Sequence, residues 1–217
     1  MATERDISLN DYLRARKIDP ALATLVEHIA KSAIVMADHL KAAAFHDQIG
    51  NAGTRNVQDE EQKLLDVLAD RVFRETCAEA ASLAAYVSEE VDDVAWLKAP
   101  LAGDLILYVD PLDGSSNLEV NLSVGSIFAV SQVLADGSRN VLRRGREYLC
   151  AGYAIYGPST LLVLSFGVGV VSFALDPGDW VFKLTNARMR IPQETTEFAI
   201  NASRWRFLGR THPPLCR

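Results

Sequence analysis

The chain has 217 residues, of which 49% are hydrophobic and 23% are charged. This balance is typical of a globular protein with a sizeable buried core, and it excludes disordered and fibrous classes. The formal net charge of −6 argues against a nucleic-acid-binding protein, which usually presents a basic surface. The first residues carry charge and no apolar core, so we predict no secretory signal and a cytoplasmic location.

The cysteines give no sign of a disulfide framework or a zinc site. Cys77, Cys150 and Cys216 are odd in number, widely spaced and without a C-x-x-C pair. Reduced thiols in a cytosolic protein are the simpler interpretation.

The first predicted element is a long helix that begins at Asp19-Pro20, where the aspartate caps the helix and proline occupies its first turn. Apolar residues then recur at steps of three and four from Leu22 to Leu40, so one face of the helix is predicted to pack against a core. Three histidines near this helix lack metal-ligand spacing, and we assign them to the surface or to capping. A glycine-containing loop at residues 50–54 ends this region.

A second helix is predicted from about Val57. Its apolar face contains Leu64, Leu65 and Phe73. The opposite face carries charged residues that spacing alone assigns to a solvated stripe: Asp59, Lys63, Asp66 and Asp70. A short strand at residues 84–88 follows and ends in Glu89 and Glu90. On the sequence alone these two acids are equally consistent with an exposed acidic loop and with a site.

The stretch that organises the chain is residues 108–117, with the sequence YVDPLDGSSN. A buried strand is predicted at residues 105–109, and it would deliver Asp110 at its carboxyl end. Pro111 removes a backbone donor and is predicted to end the strand, and Asp113 with Gly114 suits a tight turn.

Two carboxylates then lie beside backbone N–H groups and hydroxyls that suit an anion. A hard cation such as Mg2+ would reconcile the carboxylates with a phosphate, since it binds both. The alternative is an ordinary Asp-Gly turn.

Further strands are predicted in the second half of the chain. Residues 120–133 suit a strand, and the basic residues Arg143, Arg144 and Arg146 lie in a loop that either meets a phosphate or a neighbouring subunit or is solvated. Residues 150–175 contain no charge, yet glycines and a proline interrupt them well short of the ~20 apolar residues that a membrane-spanning helix needs. They are predicted to form central strands around a glycine turn, and no membrane association is expected.

Three blocks of the sequence resemble class I fructose-1,6-bisphosphatases, members of the magnesium-dependent, lithium-sensitive sugar and inositol phosphatase superfamily. These blocks are DPLDGSSNLEVNLSVGSIF at residues 110–128, NVQDEEQKLLDVLA at residues 56–69 and AGYAIYGPST at residues 151–160. The resemblance spans about Leu9 to Ser203. It implies an α/β fold, a layered sandwich of helices and mixed sheet, of which this chain is mostly the first half.

The resemblance also implies the site. The cofactor would be Mg2+, with about two or three ions per site and Mn2+ as an alternative. The metal ligands carried over are Glu89, Glu90, Asp110, the backbone carbonyl of Leu112, and Asp113. Asp66 and Glu90 would take the proton of the attacking water, and Glu60 is a further acidic position. The substrate-binding residues would be Asp113, Gly114, Ser115, Ser116 and Asn201.

Two positions depart from the family pattern. Asp59 stands where the family usually has glycine, and Leu64 stands where it usually has lysine. The missing lysine removes a positive charge near an acidic site, so metal affinity or water activation is expected to differ.

The resemblance stops at about residue 204, and family members continue further. We expect a metal-binding phosphatase domain at residues 1–192 and the start of a truncated substrate domain at residues 193–217. The implied function is hydrolysis of the 1-phosphate of fructose 1,6-bisphosphate, in gluconeogenesis or the Calvin cycle, by a homo-oligomer that is a tetramer in the family. The alternatives are a catalytically impaired remnant that binds metal or full-length subunits, and another sugar bisphosphatase.

Overall fold

The structure is a computed structural model that describes residues 6–42, 51–55 and 61–196. Its α-helices are α1 (Leu9–Ala15), α2 (Pro20–Ala42) and α3 (Leu64–Ala78). Its strands are β1 (Asn51–Arg55), β2 (Glu61–Lys63), β3 (Leu83–Ser88), β4 (Ala95–Trp96), β5 (Leu105–Asp113), β6 (Val124–Gln132), β7 (Cys150–Tyr156), β8 (Thr160–Ser165), β9 (Val170–Asp176) and β10 (Val181–Met189). Short 3₁₀ helices lie at Ser115–Val120 and Gly145–Glu147.

The main sheet has eight strands in the order β10-β9-β8-β7-β6-β5-β3-β4. β3 and β5 are parallel and the other neighbouring strands are antiparallel, so the sheet is mixed. The principal hydrophobic core joins α1, α2 and α3 to one face of this sheet. The expected α/β layering of helices against a mixed sheet is thereby confirmed.

Helix α2 begins as the sequence predicts. The Asp19 Oδ1 atom accepts hydrogen bonds from the backbone N–H groups of Ala21, at 3.0 Å, and Leu22, at 3.1 Å. By length and composition alone α2 could cross a membrane, but half of its most apolar window is buried inside the protein. Core helices of globular proteins have the same property, so this is weak support for a membrane span.

Helix α3 begins at Leu64, and the prediction of a start near Val57 was wrong. Glu61–Lys63 forms β2 instead and pairs antiparallel with β1, which occupies most of the predicted loop at residues 50–54. A helical periodicity is a local signal, whereas this pairing satisfies backbone groups across a gap in sequence. Pairing between β1 and β2 therefore overrides the local helical pattern at residues 61–63.

Strand β5 runs through Pro111 to Asp113, so the prediction that Pro111 ends the strand was also wrong. The pairing of β5 with β6 shifts register between Asp110 and Asp113, and a bulge of this kind accommodates a residue without an N–H. The Pro111 carbonyl accepts a hydrogen bond of 2.7 Å from the buried Ser126 hydroxyl. The turn that the sequence predicts at Asp113-Gly114 is confirmed, because β5 ends at Asp113 and Gly114 follows it in a left-handed conformation.

The remaining predictions for the second half hold in outline. β6 begins at Val124, four residues later than predicted, because a 3₁₀ helix occupies Ser115–Val120. The charge-free stretch forms β7, β8 and β9, with Gly167 and Gly169 at positive φ in the turn between the last two. In the basic loop, the guanidinium of Arg143 donates to two backbone carbonyls, which favours a structural role for this arginine.

Candidate metal and phosphate site

Parallel pairing of β3 with β5 brings two acids together. Ser88 lies opposite Val109 in the register, and the Glu89 N–H donates to the Val109 carbonyl at 3.1 Å. Glu89 follows the end of β3 directly and lies beside Asp110 of β5, and a side-chain hydrogen bond between the two is one cause of the raised pKa of Asp110. This contact joins residues 21 positions apart, which no local pattern shows.

The pKa of Asp110 is raised to about 7, from an ordinary value of 3.8. Burial is the largest cause, because a desolvated carboxylate loses the stabilisation of water. The charge of Glu89 and then that of Asp113 raise the pKa further, and the Leu112 N–H opposes the shift with a hydrogen bond of 3.2 Å to Oδ1. The fold thus places Asp110 where its surroundings disfavour the ionised carboxylate.

The turn after Asp113 depends on Gly114, which has a φ of +78°. L-residues rarely adopt this left-handed conformation, and glycine does so without a steric penalty. A 3₁₀ helix follows at once, so the hydroxyls of Ser115 and Ser116 stand at its start. Ser116 is exposed and Ser115 is partly buried.

Helix α3 brings Asp66 to this turn. Asp66 lies in the first turn of α3 and is only 5% exposed, and its Oδ2 atom accepts a 3.1 Å hydrogen bond from the Ser115 hydroxyl. The assignment of Asp66 to a solvated stripe on spacing alone was wrong. The resemblance instead implies a role for Asp66 beside the metal ions, and that role stays a prediction.

Asp70, one turn further along α3, is also buried, so its assignment to the solvated stripe was wrong. It accepts a 2.9 Å hydrogen bond from the hydroxyl of Tyr86, a fully buried residue of β3. Burial, followed by the charge of Asp70, raises the pKa of Tyr86 well above its usual range, so the phenol keeps its proton. Sequence reasoning missed this pair, because neither residue shows its partner locally.

The structure brings together part of the predicted set. The charges of Glu89 and Asp113 each raise the pKa of Asp110, and Glu90 lies in the turn directly after β3. Leu112 is buried in β5. Within residues 6–42, 51–55 and 61–196, no group of three or more His, Cys, Asp or Glu side chains is arranged to hold a metal ion. Glu60 and Asn201 lie outside the described residues.

The contact between Glu89 and Asp110 nevertheless suits a divalent cation. Magnesium is commonly bound through one or two carboxylates, with water and substrate phosphate completing its shell. Two facing carboxyl groups, one with a raised pKa, are the donor chemistry that a hard cation stabilises. The described residues therefore fit such an ion as a pair of ligands, with the remaining positions left to solvent and phosphate.

Comparison with known proteins places this chain in a family. The model of the family "Fructose-1-6-bisphosphatase, N-terminal domain" matches residues 3–187. The chain belongs to the fructose-1,6-bisphosphatase family. Class 1 fructose-1,6-bisphosphatase of Alkalilimnicola ehrlichii is 44% identical over 188 residues, which cover 84% of this chain and 56% of that protein. A class 1 relative from Methylibium petroleiphilum is 44% identical over 212 residues, covering 93% of this chain and 59% of that protein.

The solved structures agree with the family assignment. Fructose-1,6-bisphosphatase of Leishmania major in its holo form has a TM-score of 0.85 at 29% identity and covers 91% of this chain and 64% of that one. The apo form of the same enzyme gives a TM-score of 0.74 at 27% identity. Fructose-1,6-bisphosphatases depend in general on divalent metal ions. The chain thus spans less than two thirds of the length of the relatives that it matches.

Proposed function

We propose that this chain provides the metal-binding and phosphate-binding part of a fructose-1,6-bisphosphatase and hydrolyses the 1-phosphate of fructose 1,6-bisphosphate. The products would be fructose 6-phosphate and inorganic phosphate. The observation that carries the proposal is the meeting of two acidic elements at one turn: Asp66 of α3 bonds Ser115 directly after the β5 strand that holds Asp110 against Glu89. Family membership supports the choice of substrate.

The proposed metal ligands are Glu89, Glu90, Asp110, Asp113 and the carbonyl of Leu112. Bound Mg2+, for which Mn2+ could substitute, would neutralise phosphoryl charge and lower the pKa of a water molecule. The protein contributes electrostatically to cation binding. The fold holds the Asp110 carboxylate in a partly buried position close to the like charges of Glu89 and Asp113, and a bound cation would relieve the repulsion between them.

The phosphate would be held at the turn itself. The N–H groups of Gly114 and Ser115 and the hydroxyl of Ser116 are donors at the start of the 3₁₀ helix, and donors of this kind stabilise phosphoryl oxygens. Asn201 is the further substrate residue that we propose. The hydrogen bond from Ser115 fixes the Asp66 carboxylate next to the phosphate position. Asp66 would thereby be oriented as a proton acceptor for water.

The reaction needs no covalent phosphoenzyme. A water oxygen forms the new bond to phosphorus, and Asp66 with Glu90 accepts the proton that water loses. The bond between phosphorus and the sugar oxygen breaks, and that oxygen takes a proton from solvent and leaves as the hydroxyl of fructose 6-phosphate. Glu60 is a further acid that we propose near the site. If water attacks phosphorus in line, oxygen from labelled water appears in phosphate and is absent from the sugar.

The decisive experiment is phosphate release by the purified chain with Mg2+ and fructose 1,6-bisphosphate in 18O-labelled water. We expect turnover with label in phosphate, and a loss of at least about 100-fold in Asp110→Asn, since metal ligands and their supports typically carry such factors. The matched control is Asp92→Asn, an exposed acid outside the β5 turn, which should retain activity. Label in the sugar, or equal activity of both variants, would contradict the mechanism.

A second candidate is metal binding, or association with full-length subunits, without turnover. The match covers 56% and 59% of the two curated relatives, and the acidic site lies within the family match at residues 3–187. Folded protein that binds Mg2+ but releases no phosphate would select this candidate. For the catalytic form we further propose homo-oligomeric assembly, a tetramer by family resemblance, a cytoplasmic location, and a role in gluconeogenesis or the Calvin cycle.

A further inference from the structure

Buried polar side chains connect α3 to the turn that carries Glu89 and Glu90. They start at Asp70 of α3, whose Oδ1 atom accepts a 2.9 Å hydrogen bond from the Tyr86 hydroxyl. The same hydroxyl lies 3.3 Å from the backbone carbonyl of Asp70. Asp70 is 7% exposed and Tyr86 is fully buried. Loss of this hydrogen bond would leave a polar group without water to replace its partner, which makes the bond costly to break.

Ser88 continues the connection from Tyr86. The two residues lie two positions apart on β3, so their side chains project to the same face of the sheet. Burial raises the pKa of Tyr86, and a side-chain hydrogen bond with Ser88 opposes that shift. The buried Ser88 Oγ atom accepts a 3.2 Å hydrogen bond from the backbone N–H of Glu90. We refer to Asp70, Tyr86 and Ser88 as the buried network.

Donors and acceptors match along the buried network. A hydroxyl group has one proton to donate and can also accept hydrogen bonds. Tyr86 donates its proton to Asp70, which leaves the phenol oxygen to accept from Ser88. The Ser88 oxygen accepts in turn from Glu90. Removal of one member therefore leaves its neighbour without a partner in a buried place.

The Tyr86 hydroxyl has a role that packing does not explain. The ring of Tyr86 belongs to the core between the helices and the sheet, and a phenylalanine ring would fill that space without a polar group that needs partners. The hydroxyl instead joins two elements that carry acids of the candidate site. Asp66 lies one turn before Asp70 on α3, and Glu89 follows β3 directly.

The end of the buried network lies beside the second acidic strand. Ser88 pairs with Val109 in the parallel register of β3 and β5, and Glu89 and Asp110 follow these two residues in sequence. The turn that Ser88 holds is therefore next to Asp110.

We propose that the buried network positions the turn of Glu89 and Glu90 relative to Asp66 of α3. Its three members are positioning residues, because none of them is a ligand of the metal or the phosphate in the proposed function. The consequence for metal binding rests on the proposed function. The consequence for the order of the turn rests on the hydrogen bonds alone.

The test uses the full chain with Tyr86→Phe, which keeps the buried ring and removes only the hydroxyl. Isothermal titration calorimetry measures Mg2+ binding. We expect the dissociation constant for Mg2+ to rise at least about tenfold, since residues that orient metal ligands typically carry factors of 10–100 in affinity. Amide hydrogen exchange over residues 88–93, followed by mass spectrometry, should become at least about tenfold faster because the turn loses its support.

Two variants separate positioning from a merely structural role. Asp70→Asn keeps a side-chain oxygen that can accept from Tyr86, so its Mg2+ affinity should stay within about threefold of the unmodified chain. Phe173→Leu loses packing in the same core on β9, far from β3 in the strand order, and should change neither the Mg2+ affinity nor the exchange of the turn. Equal effects of Phe173→Leu and Tyr86→Phe would overturn the proposal, and so would a tenfold loss in Asp70→Asn.

Ser88→Ala keeps the proposal testable if Tyr86→Phe does not fold. This variant interrupts the buried network at its other end and removes a single oxygen atom. It should weaken Mg2+ binding and accelerate exchange of the turn as Tyr86→Phe does. Unchanged Mg2+ affinity and exchange in Ser88→Ala would overturn the proposal.

The positioning role and the proposed function fail separately in this design. If the unmodified chain binds Mg2+ but releases no phosphate, the proposed catalysis fails, and the Mg2+ affinities of the variants still decide the positioning role. If the unmodified chain binds no Mg2+, the proposed metal site fails and hydrogen exchange alone decides. Faster exchange of the turn in Tyr86→Phe then supports positioning, and equal exchange overturns it.

Discussion

Asp110 is the residue at which the stability of the fold and the proposed function conflict most directly. Burial and the neighbouring Glu89 raise its pKa to about 7. Near neutral pH the Asp110 carboxyl group is therefore partly protonated in the folded chain, whereas it would be ionised in the unfolded chain. A pair of carboxyl groups placed this way stabilises no fold by itself. Such arrangements are typical of sites whose ligand supplies the missing charge.

The pH dependence of stability follows from this pKa shift. The folded-state pKa of Asp110 lies above the unfolded value of 3.8, so the folded state binds the extra proton between about pH 4 and pH 7. Stability from this group is therefore full below pH 4, falls as the pH rises to 7, and stays low above it. In metal-free buffer with a chelator, we expect Asp110→Asn to raise the free energy of unfolding at pH 8. The gain should vanish below about pH 4.

The expected gain is about 1–2 kcal/mol at pH 8. A shift of roughly three pKa units would correspond to about 4 kcal/mol in full, and solvent screening of this half-buried group reduces it. Urea denaturation at pH 4, 6 and 8 measures the difference. For Asp92→Asn, a substitution of an exposed acid, the difference in the free energy of unfolding from the wild type should be near zero at every pH. A wild-type chain as stable as Asp110→Asn at pH 8 would show that the two carboxyl groups do not repel.

Single residues also show where sequence reasoning reaches its limit. The local decapeptide identifies Asp110 and Asp113 as candidates, because a strand, a proline and a glycine fix their surroundings nearby. The burial of Asp70 depends on Tyr86, which lies on another element. Spacing along α3 cannot reveal that partner, so an acid that bonds a buried phenol looks the same as one that faces water.

Among the elements, α2 shows a boundary that the sequence encodes locally. The Asp19 side chain accepts hydrogen bonds from two backbone N–H groups of the first turn. Pro20 occupies the first helical position, where an N–H group would have no partner within the helix. We expect Asp19→Ala to lower the free energy of unfolding by about 0.5–2 kcal/mol, because those two donors lose their acceptor. Thermal and urea denaturation followed by circular dichroism measure the loss.

Asp19→Asn is the matched control, since its side-chain oxygen can accept the same hydrogen bonds. Its free energy of unfolding should differ from the wild-type value by less than about 0.5 kcal/mol. If the alanine and asparagine variants are equally destabilised, the charge of Asp19 and not the hydrogen bonds would carry the effect.

The start of α3 and the end of β5 could not be predicted from local signals. β2 pairs with β1, which lies earlier in the sequence, so residues 61–63 form a strand although the local pattern predicts a helix there. At Pro111 the missing N–H is tolerated because β5 changes register against β6 at this point. Likewise, only the parallel pairing of β3 and β5 places Glu89 beside Asp110. Family resemblance supplied the roles of these residues where spacing left them open.

On the scale of the whole molecule, one core holds the helices and the sheet together. Leu25 and Met36 of α2, Phe73 of α3 and Phe173 of β9 are almost fully buried in the same cluster. Tyr12 of α1 meets Phe173 edge to face, with ring centroids 5.4 Å apart, which ties the first helix to the far part of the sheet. A shared core of this kind leads us to expect that the layers unfold together.

Two cysteines report on this cooperativity from different layers. Cys77 lies on α3, with its sulfur 3.9 Å from the Ser32 hydroxyl of α2, and Cys150 begins β7 in the sheet. Both are fully buried, and burial raises the pKa of each thiol to about 12. Because alkylating reagents react with the exposed thiolate, each cysteine should be labelled only after the chain opens around it.

We expect both cysteines to be labelled by iodoacetamide at pH 8 at least about 100-fold more slowly than a cysteine introduced at Val168, which is 97% exposed. Peptide mass spectrometry separates the sites, and urea should accelerate Cys77 and Cys150 with the same dependence, since one opening exposes both layers. Faster labelling of Cys77 at low urea would mean that the helices detach from an intact sheet. The core would then consist of two units that unfold independently.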